Sequence, residues 1–262
     1  MDKLIQNITD SNLLNNPFFW LITISVQIIA LFLYYPVIEK RLNFIGSRFF
    51  PAHPLAIYYL FFIGTVVHEL SHLLTSLALF VRVGKINLFG PKHDKKEGGY
   101  TLGYVEHERT DPFRGTLIGL APIFGSALFT YIIFVWVAPD LTLFEIPTIE
   151  KILNAILYMI QHPLNIKNFI LGYVTVACAM AGNPSKSDLQ SVPFAVFFMI
   201  IIIGLSVIFG INIDINSLGQ KLTFLTPPLM TINIIMFFEL ITLGIIQIIT
   251  GLMIRGWGYK AI

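Results

Sequence analysis

The stretch of this chain whose residue types and spacing suggest chemistry is His68-Glu69-Leu70-Ser71-His72, set in the apolar run from Gly64 to Leu74. Positions four apart share one face of a helix, so both imidazoles can reach a single ion while the glutamate between them stands beside it. Imidazole and carboxylate donors suit zinc, which in catalytic sites takes three protein ligands and keeps a fourth position open. Glu69 is then placed to take a proton from water. With six His and eight Glu in the chain, chance would produce this pattern roughly once in a few hundred such sequences. The rival explanation is a buried polar patch that pairs internally or lines a cavity. Its weakness is location, because a carboxylate at the centre of an apolar span costs about 2.5–3.5 kcal/mol.

A third ligand has to come from elsewhere. His53, His93, His107 and His162 fall in loops or at the ends of apolar runs and read as solvated or interfacial. Cys178, the single cysteine, stands between alanines and reads as a small packing residue, which also excludes a disulfide framework or a Cys-rich zinc site. Two acids remain, Asp188 and Glu239. Asp188 closes the segment Asn183-Pro184-Ser185-Lys186-Ser187-Asp188. Pro184 breaks the preceding helix and frees backbone that is tolerated only against protein or a wet cavity. An ordinary loop or N-cap aspartate before the next span is an equally good reading of Asp188. Glu239 lies inside the last apolar run, where it is either a ligand from a distant helix or a charge paired within the bundle.

The elements that position these groups follow from composition. Charged residues make up 12% of the 262-residue chain and hydrophobic ones 55%, with a mean hydropathy of +0.75. Soluble domains carry roughly twice that charge, about 25%, so a soluble enzyme, a disordered regulator and a nucleic-acid binder are excluded. The expected class is an all-α polytopic membrane protein. Apolar runs at 17–38, 54–81, 115–138, 168–183, 191–211 and 229–254 predict six transmembrane helices. The fourth is short and rich in small residues suited to close packing. Residues 148–166 read as an interfacial amphipathic helix. No cleavable secretory signal is recognisable, so the first span is expected to remain as an anchor. Lys and Arg divide 11 to 6 between the two sides, which predicts cytoplasmic termini and a cytoplasmic 82–114 loop.

Taken together, these residues resemble the site-2 protease family of intramembrane zinc metalloproteases. The resemblance spans roughly residues 54–192. It rests on the His68–His72 motif, on Gly119-Leu120-Ala121-Pro122-Ile123-Phe124-Gly125 in the intervening helix, and on Asn183-Pro184 through Asp188. Family members place a β-rich cytoplasmic loop after the motif helix, and the strand-like segments 85–89 and 100–105 stand in that place. The chain departs from the family in having Leu189 after Asp188 and Gly125-Ser126 where many members carry an Asn, and it has no PDZ-like insert.

The resemblance implies a zinc-dependent endopeptidase with one Zn2+ per chain, cutting a membrane-protein or peptide substrate within or near its transmembrane segment. His68, His72 and Asp188 would be its ligands, Glu69 its base, and Asn183 a contributor to oxyanion stabilisation. It also implies three regions: 1–53 with the first anchor, a metalloprotease core at 54–192, and two C-terminal spans at 193–262. The expected setting is the lipid bilayer of a bacterial-type cytoplasmic membrane, with no nucleic-acid partner; the sequence carries no signal for oligomeric state. A transporter or assembly factor using the His/Glu cluster for metal or protons is the alternative, against which stands the lack of internal repeats.

Overall fold

A computed structural model describes residues 17–51, 53–90, 92–93, 100–137, 161–162, 165–182, 185, 187–208 and 215–256. It is mostly helical. Helix α1 spans Pro17–Phe49. A 3-10 turn (Pro54–Phe61) runs directly into α2 (Phe62–Ala78), which carries the two motif histidines. Helices α3 (Pro112–Val137), α4 (Ile166–Ala181), α5 (Val192–Ile208), α6 (Ile215–Lys221) and α7 (Thr226–Gly256) make up the rest of the described bundle. Asp111 caps α3 by accepting from the backbone N–H groups of Phe113 (3.1 Å) and Arg114 (3.0 Å), with Pro112 as first helical residue. The Arg114 N–H, together with the Arg114 guanidinium, holds the exposed Asp111 carboxyl below its ordinary pKa.

Among the described residues four stretches are long and apolar enough to cross a membrane: Pro17–Phe49, Ala56–Ala78, Pro112–Val137 and Ile232–Gly256. They coincide with four of the six predicted spans. The predicted span at 168–183 is the 16-residue α4, about 24 Å long against a hydrocarbon core of about 30 Å. The one at 191–211 is α5, with 17 described residues. The amphipathic helix expected at 148–166 falls almost wholly outside the described residues, as do both termini. Ile22, Leu33, Phe169, Phe194, Ile248 and Leu252 are turned outward, giving the exterior of a membrane protein.

Helices α2, α3 and α4 pack against one another, α7 covers α3 and α4, and α1 lies along α7. Small residues allow the tightest approach. A Cβ on Gly64 would run into the carbonyl of Ala177 on α4, and Ala177 and Cys178 are fully buried. Between α1 and α7 the link is polar. Gln27 Nε2 donates to Asn233 Oδ1 (2.8 Å), Asn233 Nδ2 to the Trp20 carbonyl (3.1 Å), and Arg41 Nη1 to the Gln247 carbonyl (2.5 Å). Buried amides in an apolar bundle require such partners.

The loop after α2 forms antiparallel strands, β1 (Val83–Asn87) with β4 (Tyr104–His107) and the two-residue β2 (Lys92–His93) with β3 (Tyr100–Thr101). The strands expected at 85–89 and 100–105 are therefore present with altered bounds. Leu88 and Phe89 leave the ladder, and Leu102-Gly103 interrupts the second segment. Phe89 instead meets the rings of Tyr59 (5.1 Å) and Phe62 (6.1 Å) edge-on, which pins the loop to the start of α2.

Candidate metal centre

Helix α2 turns Thr65, His68, Glu69 and His72 toward one open cavity of about 750 Å³, closed over by Gly103–Val105 of the loop and bordered by Asp188. Each imidazole is aimed by a different neighbouring helix. His68 Nδ1 lies 2.6 Å from the Ala181 carbonyl at the end of α4, and His72 Nδ1 lies 2.8 Å from the Ile118 carbonyl on α3. A carbonyl only accepts, so these partners assign the proton of each ring to Nδ1 and leave both Nε2 atoms as electron-pair donors. Those atoms stand 3.1 Å apart.

The third member is Asp188. Its Oδ1 is 3.5 Å from His72 Nε2 and its Oδ2 is 3.8 Å from His68 Nε2. The carboxylate is held by its own turn, Oδ2 accepting from the Ser185 N–H (2.6 Å) while the Asp188 N–H donates to Ser185 Oγ (3.2 Å). It faces the imidazoles and does not cap α5, whose first residue is Val192.

The three groups form a set that can hold a metal ion, with ligand atoms all within 4.8 Å of one another. Bonds of 2.0–2.1 Å in a tetrahedral site put ligand atoms about 3.3 Å apart, close to the 3.1 Å between the two Nε2 atoms and to the 3.5 and 3.8 Å at which Asp188 Oδ1 and Oδ2 approach His72 and His68 respectively. Three electron-pair donors aimed at one point repel one another unless a cation or a proton sits between them. The donor set therefore fits a small divalent cation.

Other residues singled out in the sequence lie elsewhere. Among the described residues, no further His, Cys, Asp or Glu joins this set. Glu239 is buried in α7, with Thr130 and Cys178 as polar neighbours and its Oε1 without a hydrogen-bond partner among the described groups. His53 and His162 are exposed, and exposed His107 stands at the rim of the cavity with Nδ1 on the Glu108 carbonyl (3.0 Å). His93 lies in β2, and Asn183 falls outside the described residues. The carbonyls that orient the imidazoles had no signal in the sequence, because a helical backbone carbonyl looks the same at every residue.

Gly119 had a signal in its small-residue run. It lies one residue past Ile118, and a Cβ there would overlap the Asp188 carbonyl. Gly119→Ala should displace Asp188 from the imidazoles and weaken metal binding by about 10–100-fold, the usual cost of disturbing the support of a ligand. Competition titration of purified protein with a chromogenic chelator measures this, and unchanged affinity would show that the contact is slack.

Comparison of the chain with protein-family models, curated proteins and solved structures finds no significant match.

Proposed function

We propose that this chain is a zinc-dependent intramembrane endopeptidase of the site-2 protease type. The observation that carries the reading is the meeting of His68, His72 and Asp188 at one point of an open cavity that Glu69 also lines, within a bundle of apolar helices. Zinc fits the His/His/carboxylate donor set. When bound, it supplies Lewis acidity, lowering the pKa of water to about 7 and polarising a carbonyl.

The chain's own residues supply the rest. Glu69, which touches the same cavity without belonging to the ligand set, accepts a proton from the attacking water and returns one to the leaving amine. The Ala181 and Ile118 carbonyls keep the two imidazoles in the tautomer that binds metal. A helical substrate has to be held extended for its amide to reach this point. Among the described strands β1 pairs only with β4, and its other edge is where a peptide strand would add. The reading includes all six spans, with both termini and the 82–114 loop cytoplasmic.

The test is cleavage of a synthetic single-span peptide by detergent-purified protein, with metal measured in the same sample by atomic emission. About one zinc per chain and products cut inside the apolar segment are expected, both lost in His72→Ala. Wild-type protein that binds zinc but cuts none of a panel of such peptides would overturn the peptidase reading and favour metal handling.

A further inference from the structure

Thr65 lies on the same face of α2 as Glu69, one turn earlier, and lines the same cavity. It is 3% exposed and its Oγ1 has no hydrogen-bond partner among the described groups. Among the described residues Ser76, Ser126 and Thr130 also bury hydroxyls without a hydrogen-bond partner, but Thr65 is the one of the four that lines the cavity. Ser71 returns its hydroxyl to the Val67 carbonyl (2.6 Å), Thr116 to Pro112 (2.7 Å), Thr175 to Leu171 (2.8 Å) and Thr250 to Ile246 (2.7 Å). For Thr65 the carbonyl four residues back is that of Phe61, where the 3-10 turn becomes α-helix and the backbone sits at φ −114° and ψ 18°. The hydroxyl does not take it.

A buried donor left unmade costs as much as a polar group stranded by mutation, so such groups are retained where something else takes the bond. Side chains on a helix lean toward its N-terminus, which carries Glu69 back over the Thr65 turn. The loop confines Glu69 from the other side. A Cβ on Gly103 would stand 2.7 Å from Glu69 Cγ and 2.9 Å from the carbonyl oxygens of Asn87 and Leu88. The glutamate is thus bounded by backbone on the loop side, while the unused hydroxyl lies on the helix side.

We infer that Thr65 is a positioning residue, its hydroxyl donating to the Glu69 carboxylate when the site is metal-loaded and holding that carboxylate toward the ion. The kinetic part of this inference rests on the peptidase reading; the spectroscopic part does not. Thr65→Val keeps the shape and removes the donor. Because it replaces an unpartnered buried hydroxyl with a methyl, its thermal midpoint should equal or exceed that of wild type. Zinc content and KM should stay unchanged while kcat falls about tenfold or more, the scale of a lost hydrogen bond to a charged group. Thr65→Ser should restore kcat. In cobalt-substituted protein, Thr65→Val should shift the visible ligand-field bands in the same direction as Glu69→Gln, and Thr65→Ser should not.

Wild-type kcat in Thr65→Val on the synthetic single-span peptide would overturn the inference and leave the peptidase reading standing. Loss of zinc from Thr65→Val would also overturn it, by showing a structural role. If wild-type protein cuts no peptide, the peptidase reading fails by itself, and unshifted cobalt bands in Thr65→Val would then reject the inference independently.

Discussion

Asp188→Ala should empty the metal site, whereas Glu239→Gln should leave it filled. Both acids were open as third ligand on sequence grounds, and the structure separates them. The Asp188 oxygens lie 3.5 and 3.8 Å from the two Nε2 atoms and are held there by the Ser185 turn. Glu239 has Thr130 and Cys178 for company instead. A lost ligand should lower affinity well beyond the roughly 10–100-fold that follows loss of a supporting group. After dialysis against a weak chelator, Asp188→Ala should retain a small fraction of the wild-type zinc, and Glu239→Gln should match wild type. The reverse pattern would make Glu239 the ligand and reject the proposed site-2 protease reading.

The other large effect separates chemistry from folding. Glu69→Gln preserves the shape of a buried side chain lining the cavity but cannot accept a proton. It lies outside the His68, His72 and Asp188 set, so zinc should stay at the wild-type level. General-base catalysis contributes about 10²–10⁴-fold, and turnover of the single-span peptide should drop on that scale. Single-turnover assays with excess enzyme give the rate free of product release. A Glu69→Gln protein cutting at the normal rate would assign the base to another group.

The motif helix was legible because its chemistry is local. His68 and His72 are four residues apart, and that spacing already puts them on one face of α2. The apolar runs were legible for the same reason, as four of them needed only length and hydropathy to match spanning helices. The sequence left Asp188 undecided because the Ser185–Asp188 turn looks locally like any loop. Its contact with the imidazoles depends on α3, α4 and the turn meeting in space. The strand bounds shifted because Phe89 found ring partners on Tyr59 and Phe62, and because Gly103 had to pass Glu69 closely. Both effects are tertiary and override strand propensity. Thr65 looked like filler in an apolar run; among the described buried hydroxyls without a partner, it is the one that lines the cavity.

The backbone supports of the two imidazoles have a thermodynamic corollary. His68 belongs to α2 but is aimed by α4, and His72 belongs to α2 but is aimed by α3. An ion joining them is therefore a wager on the arrangement of three helices at once, since sliding either neighbour along α2 withdraws a carbonyl and turns a ring away. Such an ion binds the assembled bundle and not the separated helices. By linkage it lends the assembly about 4 kcal/mol when free metal stands at a thousand times its dissociation constant. Metal occupancy and helix register are in this sense two readings of a single equilibrium.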